Sequence, residues 1–584
     1  MSRFPELSGH RVGTAKLTVE SSDGSGIKKE FTVKVVEPER EPAIDYNEGT
    51  IMLNEEWFGH TNGGLNWYSP DYEVVYQAYE RENPGMSFGC TSQYAIIYEG
   101  KLFVSSKQAT DGGDPLPGGG RLVVADASTL KRLGSIDDIM IEGESKSGDG
   151  RALCGAGPGR IYMGTHQGVY IIDTENYTVL GKIANSGSEG TGLYNSQVGD
   201  MVLAKDKVFA VCQSDGVIII DTNTDKIIKK IEDTNVQGIT QTADGTVWYA
   251  TIDGNKCSNF VALDINTLEE ADRVVVPAEI GTVSCGWGAW RTTQFTGAQT
   301  VNSLFFAPGS SISNGGSGVY YRYDIDGREF RQICSISGLA AHTPNLKQGA
   351  YGTIRYDDRN GSLLVGTTEF KASGHYRWNW THVVDAETGE FIKTVELRPY
   401  YWFQSMPVFP DKYEPEFEDP GVITLNVDDE PVEITLKATD RDNNDANIRY
   451  SLVAAPAAND AEAVAEVSLQ GDKLTVTPRA VGSHELGLRI ESNGKVISRA
   501  LSIEVTGEST GISDIASGRR VYTERHNLVV EGCQGVKFNV VNKVGITVDS
   551  FAAGSDRYVR PLSVASDVYI VVAEGGETWK IIVK

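Results

Sequence analysis

Apolar and polar positions alternate in short runs along most of the chain, and the runs share one ending. Val123-Val124-Ala125-Asp126, Tyr170-Ile171-Ile172-Asp173, Ile218-Ile219-Ile220-Asp221, Val261-Ala262-Leu263-Asp264, Tyr321-Arg322-Tyr323-Asp324 and Val383-Val384-Asp385 each finish on an aspartate followed by a polar turn. Asn66-Trp67-Tyr68-Ser69-Pro70-Asp71 is a looser copy, and successive aspartates lie 55, 47, 48, 43, 60 and 61 residues apart. Period-two runs rich in Val, Ile, Tyr and Thr, broken by Gly, Asn and Asp, predict β-strands, and no long helical period is present. A repeat of roughly 40–60 residues built only from short strands predicts a β-propeller.

One unit shows the grammar. Gly238-Ile239-Thr240-Gln241, a turn at Asp244-Gly245, Val247-Trp248-Tyr249-Ala250, then Phe260 to Asp264, a turn at Asn266-Thr267 and a strand through Arg273-Val274-Val275-Val276 make four strands. The recurring aspartates read as structural, since an Asp side chain can bond the backbone of its own turn. The first unit begins at Thr50-Ile51-Met52-Leu53-Asn54 without a preceding inner strand. The missing strand stands at the far end, in Phe403 to Asp411. The expectation is seven blades, with residues near 403–409 closing the ring beside residues 50–55 and leaving no open edge.

The whole chain therefore reads as all-β: a seven-bladed β-propeller with flanking Ig-like β-sandwich domains. Residues 1–40 read as a partial Ig-like domain, its last hairpin only, because Val12 to Ser21 and Phe31 to Val35 parallel Val481 to Ser492 and Leu501 to Val505. On that parallel the chain is expected to be a fragment whose missing N-terminal part carries the rest of the domain and any export signal. Residues 45–413 are the propeller, 421–507 an Ig/cadherin-like sandwich, and 520–584 a small C-terminal β-sandwich of sorting or anchoring type. Tyr413 to Pro420 reads as an acidic linker.

Net charge adds a constraint: 53 basic against 79 acidic residues gives −26, which disfavours nucleic acid and anionic membrane surfaces as partners. No apolar run approaches the ~20 residues of a membrane span. The odd set of seven cysteines has no metal-type spacing; buried thiols and one or two disulfides both stay open. No motif brings a nucleophile, base, metal or cofactor set together, so a non-enzymatic protein without metal or cofactor is expected. His375 to His382 is a dense cluster that reads as a recognition surface. Asp440-Arg441-Asp442-Asn443-Asn444-Asp445-Ala446-Asn447 suits either calcium or a plain solvated turn.

Topology places the candidate site. In a propeller, the loops leading into the inner strand and those joining the second and third strands open on one face. There the chain concentrates Trp57, Phe58, Asn62, Gln237, Trp287, Trp290, Arg291, Gln348, Tyr351, Trp378, Trp380, Tyr401 and Trp402. Trp and Tyr offer apolar area with a polar handle, and Asn62, Gln237 and Gln348 are expected to orient a ligand. Inter-blade packing is the competing role for each aromatic.

Leu53 to Pro70 and Trp402 to Lys412 resemble the opening and closing segments of a Bacteroidota surface-propeller family of YncE-like proteins, over about 370 residues. One branch, the BtuG-type proteins, captures cobalamin for a TonB-dependent transporter. The resemblance implies an extracellular protein, at the outer-membrane surface or secreted, capturing a small nutrient. No binding residue is carried over from it. The alternative is an adhesin or glycan-binding protein whose sandwiches are spacers.

Overall fold

The computed structural model describes all residues except 1–12, 21–23, 36–42, 188–191, 193–194, 286, 288–292, 310–316, 371–376, 455–462, 508–518, 525 and 584. Residues 1–45 and 46–584 form two compact units. In the first, Gly13–Glu20 pairs antiparallel with Lys28–Val35, Gly13 facing Val35. The parallel segment in the second unit pairs Gly482 with Val505 in the same sense. There Leu486, Leu488 and Ile490 are buried, whereas Val19 and Phe31 of the first hairpin are exposed.

Residues from Tyr46 to Asp411 make seven sheets, six of them joined in sequence order from an inner to an outer strand. Blade two, Cys90–Tyr98, Lys101–Gln108, Leu122–Asp126 and Arg132–Ile136, is typical. Its two middle strands are buried almost throughout, because both sheet faces pack against neighbouring blades. The ring closes as the first unit requires: Gln404–Val408 pairs antiparallel with Thr50–Asn54, and that sheet continues into Gly64–Tyr68 and Val74–Val75. Without this strand, Thr50–Asn54 would present a row of unpaired backbone groups. In blade seven the inner strand is split into Lys347–Ala350 and Arg355–Asp357, both paired with Ser362–Phe370. A short helix, Ala78–Glu82, follows the outer strand of blade one.

The repeated aspartates hold turns. Asp264 accepts from the N–H groups of Asn266 (2.7 Å) and Thr267 (3.0 Å), and Asp385 from those of Glu387 and Thr388. The N–H donated by Thr267 holds the Asp264 carboxyl below its usual range. The seven cysteines are free thiols, six of them buried, and burial pushes Cys154 and Cys212 up to about 12.

A second core, including Leu425, Leu474, Val476, Leu488 and Ile503, lies between two sheets of residues 423–506. Its turns are docked on the propeller rather than solvated. Asn444 Nδ2 donates to Thr242 O (2.7 Å), Asn447 Nδ2 to Gln241 Oε1 (2.6 Å) and Leu203 O (3.2 Å), and Asn493 Nδ2 to Ile97 O (3.1 Å). These partners stand where inner strands end, so residues 440–449 and 491–495 cover the lower mouth of the axial channel. Gly494 shows how close the surfaces come: at φ +78 it lies where a Cβ would stand 2.6 Å from Glu99 Cγ and from the Tyr98 ring. The stretch read as a linker is itself structured, Glu416–Glu418 pairing with Lys437–Thr439.

Asp411, Asp440 and Asp442 bring carboxylate oxygens within 4.8 Å of one another. Lys495 stands among them, bonded to Asp411 and the Tyr413 carbonyl and 3.6 Å from Asp440. The ammonium supplies there the positive charge that the calcium reading gave to a metal, and Asp442 is spent on the Lys412 and Tyr413 N–H groups.

Candidate functional site

The open mouth is the opposite one. Asn54 faces Gln404 in the closing sheet, which brings the loop after Asn54 beside residues 400–403. The Glu55 N–H bonds to Phe403 O at 2.8 Å. The Trp57 ring then lies 4.2 Å from Tyr401 and 3.7 Å from His60, centroid to centroid. Phe58 is 58 % exposed, with Lys107 Nζ 5.9 Å from its ring. The loop is held rigidly from blade two: Gly59 N–H donates to Asp111 Oδ2 (2.6 Å), Asn62 N–H to Asp114 Oδ2 (2.8 Å) and Asp111 N–H to Asn62 Oδ1 (2.7 Å).

Beneath this platform sits a buried hydrogen-bonded pair. Tyr351 donates its hydroxyl to Glu55. Burial raises the Glu55 carboxyl to about 7, against the pull of the Tyr351 bond and the Lys107 charge. The folded state therefore holds this proton better than the unfolded chain. Its stabilising contribution is complete below the ordinary glutamate range and fades as pH rises toward 7. Glu55→Gln is expected to match the parent near pH 4 and to exceed it by about 3 kcal/mol at pH 8, measured by urea unfolding across that range. A constant difference between the two proteins would contradict this.

Deeper in the channel, side chains from different blades meet. Arg151 Nε donates to Gln197 Oε1 (2.7 Å), linking blades three and four. Thr293 donates to Asp200, reaching from blade six to blade four. Arg355 Nη2 donates to Tyr94 OH (3.0 Å), from blade seven to blade two. The last two bonds each pass over an intervening blade, so they bridge the axis.

The other candidates divide by burial. Trp378 is half-buried, 4.0 Å from His342, while Trp380 is buried and directs its indole N–H to Glu396 (3.3 Å). Trp287 is half-buried against the core of blades four and five. Trp290 and Arg291 lie outside the described residues. Trp402 is a correction: it is 1 % exposed, packed on Tyr400 and Tyr76, with its indole N–H on Arg398 O (2.8 Å), because its ring turns inward between the first and last blades. Tyr351 is likewise buried, its hydroxyl committed to Glu55.

The three amides are committed internally. Asn62 also donates to Leu116 O; Gln237 joins Asn235 O to the Cys285 N–H; Gln348 takes the Thr367 hydroxyl and meets His382 Nε2 at 2.8 Å. Asn62 is buried, whereas Gln237 and Gln348 stay partly exposed. His382 belongs to the core, with burial lowering it to about 4. Glu55, Lys107, Asp200 and Arg355 are not among the residues that topology assigned to the face. Isolated charges in β-repeats carry no spacing signal, and Glu55, just past the end of the Thr50–Asn54 strand, has none in the sequence.

Residues 48–410, more than half of the sequence, match the family described as Domain of unknown function (DUF5074). The chain belongs to the DUF5074 family. Among solved structures, a quinonprotein alcohol dehydrogenase-like protein of Bacteroides thetaiotaomicron is 15 % identical over 68 % of this chain and 85 % of its own, with a TM-score of 0.42. The extracellular domain of a Bacteroides thetaiotaomicron protein assigned as a one-component system is 11 % identical over 80 % of this chain and 58 % of its own, with a TM-score of 0.33. Likeness of this size carries nothing on chemistry. No curated protein matches the chain. Among the described residues of this DUF5074 protein no helix is long and apolar enough to cross a membrane.

Proposed function

We propose that this DUF5074 propeller is a non-enzymatic cell-surface binding protein whose open face captures a small ring-bearing nutrient, a macrocycle of cobalamin type or similar, for a TonB-dependent transporter. The observation that carries the reading is the Trp57–Tyr401–His60 aromatic platform with Phe58 exposed beside it, on the channel mouth that the sandwich leaves open. Rigid aromatic rings present large contact area at low entropic cost. The likeness of Leu53 to Pro70 and Trp402 to Lys412 to YncE-like and BtuG-type propellers supports the nutrient and the partner.

The test is calorimetry of the full chain against corrinoids, haem and glycans. Trp57→Ala is expected to cost on the order of 2 kcal/mol, about thirty-fold in affinity, for the ligand found. Unchanged affinity would move the site elsewhere, and turnover of the ligand would end the non-enzymatic reading. Binding of glycans alone would favour the adhesin reading, since an aromatic platform also suits a sugar ring. The docked sandwich speaks against its spacer component.

A further inference from the structure

Below the bridges across the axis, the channel widens into a chamber of about 310 Å³. Tyr94 and Arg355 stand on its propeller side, and Asn443, Asn447 and Ser492 of the docked sandwich line the other. This space is separate from the open face, so a site here is independent of the proposed capture function.

Arg355 is the group that the fold leaves unexplained. Its one hydrogen bond is from Nη2 to Tyr94 OH, its guanidinium lies 5.7 Å from the Tyr94 ring centroid, and Nε has no partner; among the described residues it makes no ion pair. The acids around it are engaged elsewhere. Asp358 accepts from the N–H groups of Gln299 and Thr300 and from the Thr300 hydroxyl, and Glu491 is paired with Arg449. Asp200 takes the Thr293 hydroxyl and acts on Arg355 through its charge, without a bond. Across the chamber, the hydroxyl of Ser492, 1 % exposed, also has no partner. Arg355 is half-buried, its Nε is shut off from solvent without a partner, and one of its five donors is used within the protein, whereas charges drawn out of water are ordinarily paired.

We infer that the chamber is a binding site for a small carboxylate, with Arg355 as its anchor. A guanidinium and a carboxylate fit through two parallel N–H···O bonds. The Tyr94 hydroxyl, which accepts from Arg355, retains its own proton for a third. An adjoining space of about 240 Å³ shares Tyr94, Arg355 and Asp358 with the chamber. It is lined by Arg359 and Arg441, each already paired with an acid, and by Asp357, Asp411 and Asp442, so the carboxylate site proposed here is confined to the chamber at Arg355.

The test uses the full chain at constant ionic strength, with acetate, pyruvate and benzoate as probes, chloride as the reference and phosphate as a second oxyanion. Calorimetry and thermal unfolding are the readouts. At least one carboxylate is expected to bind and raise the unfolding temperature of the parent, with Arg355→Gln weakening that binding about tenfold or more. In chloride alone Arg355→Gln is expected to unfold at or above the parental temperature, because an amide replaces a half-buried charge that has no ion pair among the described residues. Arg355→Lys keeps the charge without the planar fork and is expected to lose most of the affinity. The inference is overturned if no carboxylate binds the parent, if phosphate alone binds, or if either variant binds like the parent. It is equally overturned if Arg355→Gln is strongly destabilised or unfolded in chloride, which would make Arg355 a structural residue.

Discussion

Trp402→Ala is expected to destabilise the propeller by about 3–5 kcal/mol, the range for truncating a large buried aromatic. Trp402 shares a core with Met52, Tyr68, Val395 and Leu397, contributed by the first and last blades. Its ring lies 4.6 Å from Tyr400 and 5.3 Å from Tyr76, with the Arg398 guanidinium 5.4 Å away. Removing it opens a cavity beside the strand that closes the ring and orphans the Arg398 carbonyl. Urea unfolding should show the loss. Affinity for any open-face ligand, measured well below the transition, should stay near parental because the ring does not reach that surface. Trp57→Ala should do the reverse, weakening binding with a small stability cost. Parental stability for Trp402→Ala would mean that the first and last blades do not rely on this packing.

Lys495→Met should be nearly as damaging, at about 3–5 kcal/mol near pH 7, because it breaks a buried ion pair from one side. Asp411 and Asp440 are both buried, and Lys495 is the cation that reaches them. Burial already raises the Asp411 carboxyl, with the Lys495 charge pulling it back down. Without that charge the carboxyl rises further and takes up a proton more readily. The penalty should therefore be fully present at neutral pH and shrink as pH falls toward the ordinary aspartate range. Unfolding of parent and variant between pH 4 and 8 measures it; a penalty that does not change with pH would show that the loss is one of packing. Loss of sandwich docking should accompany the variant, read as faster proteolysis within residues 412–420.

The repeat was legible in the chain because its determinants are local. Each terminal aspartate bonds the turn that immediately follows it, as Asp264 does with Asn266 and Thr267. Alternation along a strand reports burial one residue at a time. Closure was legible for a related reason: a unit lacking its inner strand needs one from elsewhere, and Gln404–Val408 supplies it. That the loops of Trp57 and Tyr401 meet also followed from topology, since strand order assigns loops to a face.

Which of those aromatics face solvent did not follow. Trp57 and Trp402 sit in equivalent kinds of loop, yet one stacks at the surface against Tyr401 and the other points into the core. Asn62, Gln237 and Gln348 have the chemistry of ligand-orienting amides, but Asn62 is bonded to Leu116 and Asp111 of the next blade, Gln237 to Asn235 and Cys285, and Gln348 to Thr367 and His382 of its own blade. The 440–447 turn has the composition of a calcium loop or a solvated one. Its asparagines instead meet the carbonyls of Leu203 and Thr242, more than 200 residues earlier. The chain by itself determined the strands, their turns, the blade count and the closure, because these depend on neighbours in sequence. The tertiary structure alone decided which polar side chains are spent internally, that the sandwich covers one mouth of the channel, and that Arg355 has no ion pair among the described residues. Each depends on contacts made only in the folded chain, whether within a blade, as at Gln348 with His382, or between domains, as at Asn447 with Leu203.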